Sequence, residues 1–306
     1  MPISPSPAVL RAGDLLGHLA RHPSEAFTVS KLSREVGVPR ATCDSILQAL
    51  AVHDIVVRRD RDLHYELGAG CVALGDAARA ANSVLRAAGE EASALALALT
   101  CCAAVTVRVG DEARVAEVFD SGPAFGLRAG VGQAIPIVPP FGAVFVAWSD
   151  NETDAWLAHV DRRRGRAHVE QCRRAIDAVR RRGYSVAVSV PRRPELARVI
   201  ETLATTPDAA DALRARDELV GEMQHTEYLP ADIDDDARIR LTQMSAPIFD
   251  RGGRVVAAIM LLGPDYDLTN AELSALGEHL ARAATRATDT AGGRSPGPAP
   301  GMEDRT

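Results

Sequence analysis

The sequence contains no apolar run of the roughly 18–20 residues that a membrane-spanning helix requires. Its opening residues, MPISPSPAVL, lack both the charged and the apolar segment of a secretory leader, so a cytoplasmic location is expected. The five cysteines (43, 71, 101, 102 and 172) form no Cys-x-x-Cys and no Cys/His cluster at ligand spacing, so no metal site is expected. Adjacent Cys101 and Cys102 admit a redox reading, but they read first as small core residues. A GxGxxG, a P-loop, an HExxH and a GxSxG elbow are all missing, which removes the motif basis for dinucleotide, nucleoside triphosphate, zinc-protease and serine-hydrolase chemistry. No cofactor is expected. Lysine is almost absent, so arginine-rich stretches carry little information by themselves. Net charge is −6 with a pI near 5.8, which argues against a protein that coats nucleic acid by bulk charge. It leaves open a regulator whose basic surface is confined to one module.

What is present is core material. At 306 residues, 46% hydrophobic and 25% charged, the chain has the composition of a soluble globular protein of about two domains. Residues 1–7 are proline-rich and read as loose. A first helix, from about Ala8 to Arg21, presents Val9, Ala12, Leu15, Leu16 and Leu19 to one side. The stretch Thr28 to Leu67 then organises the N-terminal part. Thr28 caps a helix with Val29, Leu32 and Val36 at i, i+3 and i+7, and Gly37 ends it. Pro39 opens a second helix with Cys43, Ile46, Leu47 and Leu50 on an inward stripe. Ala41, Ser45 and Gln48 lie opposite, flanked by Arg40 and Thr42. Small polar residues near a helix start suit insertion into a DNA major groove. Ile55–Arg59 and Leu63–Leu67 read as a hairpin, or wing, joined at Asp60-Arg61-Asp62, with Arg58, Arg59 and Arg61 available to phosphates. Arg11 and Lys31 are further candidate phosphate contacts. Residues 1–70 hold seven arginines and Lys31 against eight carboxylates, so the footprint rests on placement rather than total charge. Asp44 and Asp54 would repel a phosphate that they faced.

Gly68-Ala69-Gly70 reads as a hinge before an alanine-rich helix from about Val72 to Ala87, a linker or dimer contact. From Ala103 the period becomes 2: Val105, Val107 and Val109 form one strand, Val115–Phe119 its partner, and Phe125–Ala129 a possible third. Pro139-Pro140-Phe141-Gly142 opens an apolar helix from Ala143 to Trp148. Asp150–Val160 and Ala167–Arg182 read as helices, with nine arginines between Arg162 and Arg182 taken as a solvated face. A strand Tyr184–Val188, a helix Pro191–Leu203 and an acidic stretch 205–238 follow. Arg240–Phe249 and Val255–Leu262 read as a hairpin whose second strand, apolar on both sides, belongs in a covered sheet centre. Thr269-Asn270-Ala271-Glu272 is a capping box for the last helix, with Leu273, Leu276 and Leu280 inward. The tail after Gly292 is disordered by composition. The expected fold class is α+β: a winged helix-turn-helix domain (1–68), a linker helix (69–88), an antiparallel sheet with helices (89–290) and a tail (291–306).

Several of these features, in this order, resemble the IclR family of bacterial transcriptional regulators. They are the winged unit, the glycine-flanked linker helix, Gly132…Pro136…Gly142-Ala143, Arg182-Gly183-Tyr184-Ser185, and Ser245-Ala246-Pro247-Ile248-Phe249-Asp250 before the buried strand. The resemblance covers residues from about 8 to 288, apart from an insertion at about 191–238. It implies a GAF-like sensor domain that binds a small-molecule effector, and a homodimer or dimer of dimers on palindromic operator DNA. It also implies an effector site at Phe141, Gly142, Ala143, Gln243, Met260 and Leu262; Arg128 is a candidate anion partner there, or else a strand-edge surface residue. The polar residues common at the family's positions are replaced here by Pro136-Ile137-Val138 and by Met260 and Leu262. A larger, more apolar or aromatic acid is therefore expected as effector. Two alternatives are a DNA-binding regulator whose C-terminal domain only dimerises, and a GAF-like thiol redox enzyme using Cys101-Cys102.

Overall fold

The computed structural model describes residues 5–22, 25–59, 63–122, 129–160, 165–188, 230–233 and 238–296, with isolated positions between 199 and 218. The chain divides into two compact units: residues 1–81 with 194–218, and residues 82–193 with 219–306.

The first unit is built from helices α1 (Pro7–Arg21), α2 (Val29–Val36) and α3 (Arg40–Ala51), the strands β1 (Val56–Arg58) and β2 (Tyr65–Leu67), and helix α4 (Gly70–Ala81). Local chemistry sets each boundary. The Thr28 hydroxyl accepts from the Lys31 N–H at 3.2 Å, which caps α2. Gly37, at φ 73°, takes the left-handed conformation that ends it. Ser33 Oγ donates to the Val38 carbonyl at 2.7 Å and ties the turn into α3. One core joins Leu15 and Leu19 of α1, Phe27, Leu32 of α2, Val38, Cys43 and Leu47 of α3, Val56 and Tyr65. Phe27 and Tyr65 exchange backbone hydrogen bonds at 2.9 and 2.7 Å, so the wing is fastened to the segment that enters α2. The strands are shorter than the hairpin expected from sequence, and its central turn, with Arg61, lies outside the described residues.

The alanine-rich segment is not one helix. α4 stops at Ala81, and Asn82 starts a new helix, α5 (Ser83–Leu99), by accepting from the Val84 and Leu85 N–H groups at 3.0 and 3.2 Å. The two halves behave oppositely. α4 buries no residue, whereas α5 buries Ala87, Ala88, Gly89, Ala92, Leu95 and Ala96.

The second unit is a six-stranded antiparallel sheet in the order β5-β4-β3-β8-β7-β6. Its strands are β3 (Cys102–Val109), β4 (Glu112–Asp120), β5 (Ala134–Pro136), β6 (Ser185–Val188), β7 (Leu241–Phe249) and β8 (Val255–Leu262). β8 lies centrally, as expected for a strand apolar on both sides. The expected strand at 125–129 falls almost wholly outside the described residues, and Ala134–Pro136 pairs with β4 instead. α5 and a long C-terminal helix cover one sheet face, packing on Ala103, Val105, Ala246, Ile248, Ile259 and Leu261. Because α5 presents small residues, it approaches closely: a Cβ at Gly89 would lie 2.6 Å from the Glu117 carboxylate. Between β5 and β6 come α6 (Ala143–Val146), α7 (Asp150–Leu157) and α8 (Gly165–Arg182). They enclose a second core with Trp156, Ile176, Val179, Phe249 and Ala258. The long C-terminal helix is α9 (Asn270–Thr290), and it begins with the expected Thr269–Glu272 capping box.

The arginines of α8 are only partly a solvated face. Arg180 donates to the Ala147 carbonyl and to Asp150 at 2.8 Å, and Arg173 pairs with Asp154 at 3.1 Å. Arg182, half-buried, donates to the Pro230 carbonyl at 3.1 Å and to that of Ala231. Burial lowers its pKa below the ordinary guanidinium value.

Candidate functional site

The outward side of α3 is made of the residues that the helical period places there. Arg40, Ala41, Ser45 and Gln48 are exposed and Thr42 is half-buried, while Cys43 and Leu47 are fully buried beneath them. Between the start of α3, the start of α2 and the wing runs a groove of about 720 Å³, lined by Thr28, Val29, Ser30, Arg40, Ala41, Asp44, Arg58, Leu63 and Tyr65. Arg40 and Arg58 thus stand on the same groove from different elements. Among the described residues neither is held in an ion pair, so both guanidinium groups can meet an anion.

Two other candidate cations, Lys31 and Arg59, are already engaged. Lys31 pairs with Glu25 at 2.9 Å and lies 4.4 Å from the centre of the Phe27 ring. Arg59 pairs with Glu66 across the wing. Arg11 is exposed on α1, outside the groove lining. Gln48 donates its amide N–H to Asp44 at 2.9 Å. Asp44 is the residue that sequence reasoning assigned only a repulsive role. It lies one turn before Gln48, and that i, i+4 spacing was the available signal.

The buried side chains beneath respond electrostatically. The Cys43 thiol is pushed up in pKa by burial first and the Asp44 charge second. Burial likewise raises the Tyr65 phenol, with Arg58 pulling it down and Asp44 pushing it up. The same unit carries His18 and His22, both buried, with ring centroids 4.4 Å apart and His18 Nε2 3.1 Å from Glu35.

In the second unit, the sheet face opposite α5 and α9 collects most of the effector candidates. Cross-strand pairing aligns Val118, Ala104, Met260, Ser245 and Ser185 in one row across β4, β3, β8, β7 and β6. Leu262 and Gln243 pair in the next row, both partly exposed. Met260 packs with Ala104 and Val115. Ser245 and Ser185 are small hydroxyl residues in that row that the sequence reading did not include among effector contacts, because they become neighbours only through the sheet register. Ser185 Oγ donates to the Ser245 carbonyl at 3.4 Å. Phe141 and Ala143 are buried, and Gly142, at φ 74°, opens α6 where a Cβ would meet Ile137 Cγ2 at 2.8 Å. The Phe141 carbonyl accepts from Trp156 Nε1 at 2.8 Å. Arg128 lies outside the described residues. Cys101, in the same unit, has its thiol pushed up to about 11, chiefly by burial and then by Cys102 and Asp120. A thiol so shifted is protonated at neutral pH and a poor nucleophile. Among the described residues no helix is long and apolar enough to cross a membrane.

Residues 8–60 match the IclR helix-turn-helix domain. No curated protein matches the chain. Solved structures share its fold over nearly its whole length. An IclR transcriptional regulator from Alicyclobacillus acidocaldarius aligns with a TM-score of 0.65 at 20% identity, over 94% of this chain and 100% of its own. An IclR family transcriptional regulator from Brucella abortus gives 0.60 at 15% identity, over 94% and 93%. An IclR homologue from Microbacterium hydrocarbonoxydans, solved in complex with 4-hydroxybenzoate, gives 0.60 at 17% identity, over 93% and 98%.

Proposed function

We propose that this chain, an IclR-family DNA-binding transcriptional regulator by its helix-turn-helix domain and its fold, holds operator DNA through the α3 face and the wing. A small molecule bound by the C-terminal unit sets its affinity for that DNA. The observation that carries the reading is the groove on which Arg40, from the start of α3, and Arg58, from the wing, present guanidinium groups that no described residue holds in an ion pair, beside the exposed Ala41, Ser45 and Gln48. Phosphates flanking a major groove satisfy such charges, and the short helix face reaches base edges between them. Arg61, Arg11 and Thr42 complete the proposed contacts.

The effector reading rests on the uncharged sheet row around Met260 and on Leu262 and Gln243, next to serine hydroxyls. It favours an aromatic or extended apolar acid over a glyoxylate-sized one, because a small carboxylate needs polar partners for each desolvated oxygen. The 4-hydroxybenzoate complex of the Microbacterium homologue makes that compound the first probe. Operator binding is tested by selecting sites from random duplexes with the full chain and measuring affinity for the selected sequence. Effector binding is tested by thermal shift with 4-hydroxybenzoate, longer aromatic acids and glyoxylate. Stabilisation by glyoxylate alone would overturn the apolar-effector reading, and no enriched sequence would overturn the operator reading.

A further inference from the structure

α3 places a negative charge on a surface that otherwise meets polyanionic DNA. Asp44 lines the same groove as Arg40, Arg58 and Tyr65, and its charge raises the pKa of the Tyr65 phenol on that groove and of the Cys43 thiol buried beneath α3. A carboxylate there lowers affinity for any phosphate backbone, so its use on a reading helix must come from a base edge. In the major groove the exocyclic amines of cytosine and adenine are the hydrogen-bond donors, and a carboxylate pairs with cytosine N4. Asp44 is also held in place: Gln48, one turn further along, donates an N–H to Asp44 Oδ2 at 2.9 Å. That bond fixes the carboxylate and leaves the Gln48 amide with its carbonyl oxygen and a second N–H, the pair that matches adenine N6 and N7.

We propose that Asp44 and Gln48 form a coupled base-reading pair in which the Asp44 carboxylate selects a cytosine, through its N4 amine, at one position of each operator half-site. The inference rests on the operator-binding reading above. It further states that part of this protein's specificity comes from repulsion: Asp44 disfavours every sequence that offers no amine to offset its charge.

Random-sequence duplexes selected with the full-length wild-type protein, with Asp44→Asn and with Gln48→Ala test it. The Asp44→Asn change keeps the size of the side chain and an acceptor for Gln48 but removes the charge. The wild type is expected to enrich a motif with a fixed C·G pair. D44N is expected to lose preference at that pair by about 10-fold or more while keeping the rest of the motif. It should bind random DNA as tightly as the wild type or more tightly. Q48A, at an exposed position that folding does not need, should weaken the same C·G preference and that of an adjacent pair. A wild type that enriches nothing would defeat the operator reading itself. A wild-type motif reproduced unchanged by both variants would overturn the base-reading pair and leave Asp44 as a helix-surface acceptor for Gln48.

Discussion

Arg58 and Arg59 are adjacent in sequence and have different electrostatic roles. The register of β1 on β2 pairs Arg58 with Tyr65 and turns its guanidinium to the groove, while Arg59 reaches Glu66 across the wing. Arg58→Ala should therefore weaken binding to operator and random DNA alike and lower the slope of log affinity against log salt by about one. Arg59→Ala should do so less, because part of its charge is already balanced by Glu66. Fluorescence anisotropy across a salt series measures both, and equal effects would mean that DNA displaces Glu66 from Arg59. The sequence locates basic residues at the wing but does not rank them. Ranking needs the strand register, and a hairpin with only three paired positions specifies it weakly. Lys31 was hidden for the same kind of reason: its partners Glu25 and Phe27 precede the helix on which the periodicity is read.

At the scale of elements, capping chemistry was legible and the packing of small residues was not. Thr28 and the Thr269–Glu272 box begin a helix, and Gly37 ends one, where their side chains or backbone freedom require. The break at Asn82 was missed because alanine on both sides of it satisfies helical periodicity without showing which half is buried. Asn82 accepts two N–H groups that otherwise lack partners, so Asn82→Ala should lower stability by about 1 kcal/mol. Chemical denaturation measures that loss, and an unchanged midpoint would show the cap to be dispensable. The β7–β8 turn gives a pH-dependent counterpart. Asp250 accepts from the Gly252 N–H at 2.8 Å, from the Arg254 N–H at 3.0 Å and from the Arg254 side chain at 3.1 Å. The backbone hydrogen bond from Arg254 is the first cause that holds its carboxyl below the usual carboxylate range. A depressed folded pKa means that the contribution is complete above the unfolded value, near 4, and is lost as pH falls through the folded one. Melting curves between about pH 6 and pH 2 should show Asp250→Asn losing part of the acid-side decline of the wild type.

For the molecule as a whole, α1 and α4 of the first unit each leave large apolar side chains exposed. Val9 and Leu10 of α1 are 68% and 56% exposed, and Val72 and Leu74 of α4 are 63% and 61% exposed. Among the described residues α4 contains no buried residue, which is unfavourable for a helix of 12 residues unless another surface covers it. A second copy is the expected cover, since a reader with one short helix would gain both affinity and half-site spacing by pairing about a two-fold axis. The full chain should sediment as a dimer or a multiple of one. Leu74→Glu, which places a charge on α4 without touching a buried contact, should shift it toward monomer at micromolar concentration. The same substitution should leave the melting of the C-terminal unit unchanged and weaken binding to a two-half-site operator far more than binding to an isolated half-site. Two identical losses would locate the defect in the reading surface, and an unchanged sedimentation coefficient would mean that α4 is covered by something other than its twin. The comparison with an isolated half-site matters because avidity multiplies two weak contacts only when both are engaged at once. Only a dimer-breaking change spares the single contact.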